Sequence, residues 1–248
     1  MQDTAVAEND DQGSLEELPE EYAWLEGGQS YVACAFYTPN YLEQILSLKA
    51  SLEKVGINHY FKRYERGPTW EQTTRLKPVF VHHALQKFSD KDVLYLDADA
   101  VVRRPLVFFD NVTTDMSIMF HHVKSGGNNY LRISAGTVFI RNTEGGRKFA
   151  TLWKDAEKHC GPLTLDEDMI YMAFTDMAGI SITVLPPPYV KIFDKPGADP
   201  IIEHFQASRS QFKWRRLIRK ARRIGLIAGG VSLVLLVWWL SNHLRWVP

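Results

Sequence analysis

Two aspartates, Asp97 and Asp99, stand one small residue apart directly after the apolar run Val93-Leu94-Tyr95-Leu96. A run of that length and composition is a buried strand, so the pair emerges where the strand leaves its sheet. Carboxylates there can offer oxygens to one hard cation, because Mg2+ and Mn2+ take carboxylate, water and phosphate ligands. A divalent ion so held would neutralise a leaving diphosphate. The same acids would also serve as a solvated turn, so the pair alone does not define a site. Two histidine doublets compete for attention as metal ligands. His82 and His83 adjoin on a predicted helix and point apart, and His121 and His122 end a predicted strand and face opposite sides. Neither doublet makes a second metal centre, although His122 is placed to reach a cleft. Cys34 and Cys160 lie far apart without a metal-ligand spacing, which predicts neither a disulfide framework nor a zinc knuckle and suits a reducing compartment.

The strand that presents the aspartates needs neighbours. Residues 31–37 form a continuous apolar run, a strand buried on both faces, and Thr38-Pro39 then caps a helix whose Leu42, Ile45, Leu48, Leu52 and Val55 recur at helical spacing up to Gly56. A strand over 59–64 follows. Pro78 opens a helix with an apolar stripe of Val81, Ala84, Leu85 and Phe88, broken by Ser89-Asp90. Strands are expected at 116–120 and 136–140, and a helix carrying Phe149, Leu152, Trp153 and Ala156 ends at Gly161. Residues 166–177 read as a helix, 182–185 as a strand closed by three prolines, and 201–204 as a short strand bearing His204. Residues 126–129 read as a flexible loop over the site, open to acceptor binding. Alternating strands and helices predict an α/β domain with a mostly parallel sheet flanked by helices, which binds ligands at the carboxyl ends of its strands.

The segment from Leu94 to Val102 is preceded by Arg75-Leu76-Lys77-Pro78 and followed by Ser134-Ala135-Gly136-Thr137-Val138-Phe139 and Leu165-Asp166-Glu167-Asp168. In order and spacing these segments resemble the nucleotide-diphospho-sugar transferases of the GT-A fold, above all the glycogenin-like retaining enzymes, over roughly residues 31 to 209. The resemblance implies a Rossmann-like sheet, a nucleotide-sugar donor, and Mn2+ or Mg2+ held on the donor phosphates. Under it, Asp97 and Asp99 match the metal-binding pair with Ala98 between them in the donor site, and His204 matches a late histidine that completes the metal site. The glycine and lysine usual after that histidine are replaced by Gln206-Ala207-Ser208-Arg209, which leaves Arg209 as the phosphate-binding substitute. Tyr37 and Thr38 fall where such enzymes hold the base, and Arg75 and Lys77 where they place cations near the diphosphate. Core packing, helix capping and simple solvation are the plainer uses of these four. Asp166 matches the aspartate beside the anomeric carbon. It would stabilise an oxocarbenium-like transition state or attack briefly in a retaining reaction, whereas an inverting reaction would use a carboxylate to deprotonate the acceptor. Three acids at a helix start are also favoured by the helix dipole alone.

At 248 residues and 45% hydrophobic composition the chain has material for one sizeable core. Its formal net charge is zero, but residues 1–29 hold nine acidic and no basic side chains and residues 213–248 eight basic and no acidic ones. A nucleic-acid module would line a folded face with its cations rather than set them beside an apolar run, so the partner indicated is anionic membrane, not nucleic acid. Residues 1–29 are expected to form a disordered acidic tail and to be no signal peptide; Tyr22, Trp24 and Leu25 make a hydrophobic knot that could dock on the domain, with loose contact the plainer reading. The catalytic domain is expected over 30–212. Residues 213–223 then form a basic juxtamembrane segment, 224–240 an uncharged hydrophobic helix, and 241–248 a short tail. The helix would measure about 26 Å against a hydrocarbon core of about 30 Å, just enough to cross. A surface-lying or oligomerising helix is the alternative. If it spans, the basic flank places the domain on the cytoplasmic side. The sequence thus supports a metal-dependent, membrane-anchored glycosyltransferase acting on an unknown glycan, lipid or protein acceptor, with a catalytically silent, membrane-tethered binding module as its rival.

Overall fold

The computed structural model describes residues 18–125 and 127–207. Contacts group the chain into a unit ending at Phe205 and a second from Gln206 to Pro248; the elements described all belong to the first. The strands are β1 (Glu21–Trp24), β2 (Tyr31–Tyr37), β3 (His59–Arg63), β4 (Asp92–Leu96), β5 (Ala100–Val102), β6 (Met116–Ser125), β7 (Asn128–Ile140), β8 (Ile182–Val184), β9 (Lys191–Ile192) and β10 (Ile202–His204). The α-helices are α1 (Leu42–Lys54), α2 (Trp70–Thr74), α3 (Leu76–Lys87), α4 (Glu144–Asp155) and α5 (Asp166–Phe174).

A seven-stranded sheet runs in the order β1-β3-β2-β4-β7-β6-β8, and a small second sheet in the order β5-β10-β9. Pairing is parallel for β2/β3, β2/β4 and β6/β8 and antiparallel for β1/β3, β4/β7 and β6/β7. The sheet is therefore mixed, not mostly parallel. The cause is a long hairpin. β6 and β7 extend well past the short strands expected and pair out to Ser125 and Asn128, turning beside Gly127 at φ +82°. A hairpin return forces antiparallel pairing, and within the stretch that reads in sequence as a loose loop β7 already begins at Asn128, paired with Ser125.

Period-two alternation along β2 divides the core. Val32 and Cys34 face the cluster formed with α3, α4 and α5, while Tyr31, Ala33, Ala35 and Tyr37 face the cluster formed with α1 and the small sheet. α1 buries Ile45, Leu48 and Leu52, the stripe expected. The helix expected to open at Pro78 opens at Leu76, with Pro78 tolerated in its first turn, and is preceded by α2, which a Thr69–Gln72 capping box starts. Trp153 of α4 is fully buried and stacks on Phe149.

The acidic tail expected through residue 29 gives way at Glu21, where β1 adds an antiparallel edge strand to β3. Tyr22 stacks on Phe61 and Trp24 on His59, with centroids 6.2 and 5.6 Å apart. Glu21 meets Lys62 at 2.6 Å and Lys87 at 3.0 Å. Two aromatic pairs and a doubled ion pair offset the ordering cost that acidic composition alone would leave uncovered. Residues 1–17, Arg209 and the segments 213–223, 224–240 and 241–248 lie outside the described residues. Among the described residues, no helix is long and apolar enough to cross a membrane.

Hydrogen bonds from Lys62 and Lys87 hold the Glu21 carboxyl down to about 2. Its folded value lies below an unfolded value of about 4, so its contribution is complete above that and lost as pH falls towards 2. An exposed pair contributes about 1 kcal/mol or less, so Glu21→Gln should speed amide exchange at Tyr22 and Trp24 by up to about fivefold at neutral pH, with global stability little changed. The difference should shrink as pH falls towards 2. Equal exchange at neutral pH would show that the aromatic contacts alone hold β1.

Candidate active site

β4 ends at Leu96, and the chain turns at once. The Asp97 N–H donates to Gly136 O at 2.9 Å, and the Asp97 carbonyl accepts from Ala100 N at 2.9 Å, leading directly into β5. β5 pairs with β10 in a register that sets Ala100 opposite His204, and Phe205 N donates to Asp99 O at 3.1 Å. This pairing carries a residue more than a hundred positions downstream back to the carboxyl end of β4. Asp97, Asp99 and His204 each present one ligand atom, all within 4.8 Å of one another.

The His204 imidazole is 5% exposed, and its Nε2 lies 2.9 Å from Thr137 Oγ1. Thr137 donates its one hydroxyl proton to Tyr189 O at 3.0 Å. It must therefore accept from His204, which puts the imidazole proton on Nε2 and leaves the Nδ1 lone pair for a ligand. Burial first, and Lys77 second, push the His204 pKa down to about 4 against the opposing pull of Asp97, so the ring is neutral at pH 7. Gly136 keeps the space open. A Cβ there would stand 3.1 Å from Asp97 Oδ2 and 3.1 Å from His204 Cε1.

Lys77 is the hub. Its ammonium is buried and meets Asp97 Oδ1 at 2.9 Å, Ala135 O at 3.0 Å and Asp166 Oδ2 at 2.5 Å. Burial favours the neutral amine, but Asp166 and Asp97 override it and raise the pKa. Burial likewise works to raise the Asp97 carboxyl, and Lys77, His204 and a 2.9 Å hydrogen bond from Tyr95 Oη bring it below its ordinary value. Asp166 is further fixed by Trp153, whose indole N–H donates to its carbonyl at 3.1 Å. Acidic side chains in excess around one lysine, together with an unprotonated imidazole nitrogen, make a donor set that fits a hard divalent cation such as Mn2+ or Mg2+.

The other residues singled out from the sequence fare unequally. Tyr37 and Thr38 do lie at the carboxyl end of β2, alongside that of β4; both are buried, the Tyr37 hydroxyl has no hydrogen-bond partner, and Thr38 Oγ1 donates to Asn40 Oδ1 at 2.8 Å. Thr38 is an N-cap in backbone conformation only, heading the 3-10 turn Pro39–Tyr41 rather than α1. Lys77 has all three protons committed to protein acceptors, so it reaches any donor through the carboxylates it holds. Arg75 bonds Gly161 O at 2.8 Å and lies 3.3 Å from Glu157, contacts that bind it to the chain ahead of α5. Ala98 is buried between the aspartates. The acids at the start of α5 have separate uses: Asp166 pairs with Lys77, Glu167 meets Arg132 at 3.0 Å, and Asp168 accepts from Leu165 N at 2.9 Å as a helix cap. His82 and His83 do part company, towards Lys154 and Tyr60. His122 is exposed, whereas His121 is half-buried.

Three contributors escape a reading of the sequence. Tyr95 and Thr137 sit inside strands, where core packing explains them fully until the site is assembled. Burial, then the negative charges of Asp99 and Asp97, raise the pKa of the Tyr41 phenol, which marks it as a neighbour of the aspartates. Its position after Pro39 gives no such signal.

The family model of the nucleotide-diphospho-sugar transferases matches residues 29–211. The chain belongs to that family and is a glycosyltransferase. A solved glycosyltransferase involved in glycosylating the major capsid of PBCV-1 superposes with a TM-score of 0.54 at 19% identity, covering 73% of this chain and 96% of that one. The apo form of the glycosyltransferase GlyE from Streptococcus pneumoniae TIGR4 gives a TM-score of 0.50 at 17% identity, over 71% of this chain and 54% of its own. At such identities these likenesses establish the GT-A-like fold, and this chain spans about half of GlyE. No curated protein matches the sequence significantly.

Replacing Lys77 by methionine would leave Asp97 and Asp166 facing each other without their shared cation. Breaking a buried pair from one side costs about 3–5 kcal/mol. Urea unfolding of Lys77→Met should register a loss of that order, and a loss below about 1 kcal/mol would contradict the hub assignment.

Proposed function

We propose that this glycosyltransferase is metal-dependent and retaining, with Mn2+ or Mg2+ held by Asp97, Asp99 and Nδ1 of His204. The observation that carries the reading is the convergence of these three ligands at the carboxyl end of β4 in a chain of this family. When bound, the ion supplies positive charge to the departing nucleoside diphosphate. The chain's own residues do the rest. Tyr37 and Thr38 hold the base, with Ala98 against the donor between the two aspartates. Lys77 pairs with both Asp97 and Asp166 and fixes them relative to each other, so that the carboxylates are already positioned when the anomeric carbon becomes positive. Asp166 stabilises that charge or attacks it briefly. Arg209 contributes the phosphate contact that family members take from lysine, with Arg75 a secondary cation. The acceptor is a glycan, lipid or protein.

Asp97→Asn and Asp99→Asn should each lower release of nucleoside diphosphate from a nucleotide sugar by at least about a hundredfold, the scale expected when electrostatic stabilisation of a leaving group is removed. Circular dichroism should stay unchanged. Undiminished turnover in both variants rules out the metal assignment, whereas no turnover in the unaltered protein would favour a silent binding module.

The same reading places the enzyme on the cytoplasmic side of a membrane, anchored by residues 213–240. The support is the sequence: seven cations immediately before an uncharged apolar run. Deleting residues 213–248 should give a protein that no longer sediments with membranes and still cleaves its donor. Membrane retention of the truncated chain would contradict the anchor.

A further inference from the structure

The small sheet has two unlike faces. Ala100, Val102, Ile202 and His204 point inward and are buried. By strand alternation Glu203 and Phe205 point the other way. There Phe205, 38% exposed, stacks on Phe193, 46% exposed, with ring centroids 5.5 Å apart and planes 16° from parallel. Backbone bonds set both rings: Phe193 N donates to His204 O, and Phe205 N to Asp99 O. The Arg103 guanidinium lies 5.7 Å over the Phe205 ring. Two stacked phenylalanines open to solvent do nothing for the core, and His204 points to the opposite face, so neither ring belongs to the ligand set described.

We infer that this outer face, centred on Phe193 and Phe205, rests on the surface of an anionic phospholipid bilayer. The inference builds on the reading that residues 213–240 anchor the chain. Lys213 follows Phe205 by eight residues, so it lies at most about 28 Å from it along an extended chain. The basic run therefore starts within reach of the aromatic pair, and the apolar run follows it in the sequence. Aromatic rings beside arginine are the side chains that enter the headgroup layer, with the ring towards the acyl boundary and the cation at the phosphates. The face itself is nearly balanced in charge: Arg103 pairs with Glu203 and Arg104 with Asp199, while Asp194 stands near Lys191 and Lys195 in sequence. The basic run supplies the attraction to anionic lipid and the phenylalanines the orientation. Docking in this way brings the Asp97–His204 cluster close to the bilayer, where an acceptor carried on a membrane would be met.

The test uses the full chain with Cys160→Ser, Cys34 being fully buried. A nitrobenzoxadiazole label is placed in turn at Phe193→Cys, Phe205→Cys and the 78% exposed Leu163→Cys. Each protein is mixed with vesicles of phosphatidylcholine and phosphatidylserine, and both co-sedimentation and emission are recorded. Labels at 193 and 205 should brighten severalfold and be quenched by lipids brominated near the headgroup, while the label at 163 stays as in water. Co-sedimentation with all three labels unchanged, or with 163 brightening equally, overturns the docked face and leaves the anchor standing. No co-sedimentation overturns the anchor and the docked face together. Brightening at 193 and 205 without vesicles, rising with protein concentration, would assign the face to a second copy of the chain and overturn the inference.

Discussion

A buried ammonium shared between two carboxylates is the constraint around which the rest of this molecule is arranged. Lys77 sits near the start of α3, Asp97 at the end of β4, Asp166 at the start of α5, and the third acceptor, Ala135 O, in β7. Neither the Lys77 ammonium nor the Asp166 carboxylate would tolerate its burial alone, since an unpaired charge away from water costs several kcal/mol. Together these groups satisfy one another only if the two helices and two strands hold their relative positions. The core clusters do that holding. Trp153 connects the two scales, because one fully buried ring packs the helical layer and also fixes the Asp166 carbonyl.

The same economy governs the Asp97–Asp99–His204 group. β7 serves it three times in succession: Ala135 accepts from Lys77, Gly136 gives its carbonyl to Asp97 and leaves room for the His204 ring, and Thr137 fixes the imidazole tautomer through a hydroxyl already committed to Tyr189. The Ser-Ala-Gly-Thr segment is thus a second wall of the site, with a separate physical reason for each of three residues. Such outer partners orient ligands and tune their basicity, which is why they matter nearly as much as the ligands themselves.

How much of this was legible beforehand follows from which forces act locally. β2, α1 and β4 declare themselves because burial leaves a periodic apolar trace, and Asp97 and Asp99 are visible because acids after such a strand break the pattern. The family resemblance, not spacing, brought His204 to them, and the β5/β10 pairing that makes the meeting physical involves strands of three residues each, too short to carry a period. The long hairpin was missed because residues 128–132 are exposed and their sequence shows no buried face. β1 was missed because its hold on the domain comes from partners in β3 and α3, far along the chain. Lys77 was expected to face phosphate; only the assembled fold shows its three protons already engaged.

We propose that Asp97, Asp99 and His204 hold one divalent cation in a geometry that Lys77 maintains from behind. The most direct test is diffraction from crystals grown with Mn2+ and a nucleoside diphosphate, recorded at the manganese absorption edge. An anomalous peak is expected at coordination distance, about 2.1 Å, from a carboxylate oxygen of Asp97, one of Asp99 and Nδ1 of His204, with Lys77 still bridging Asp97 and Asp166. A manganese peak elsewhere, or a His204 ring bound through Nε2 with Thr137 released, would contradict it.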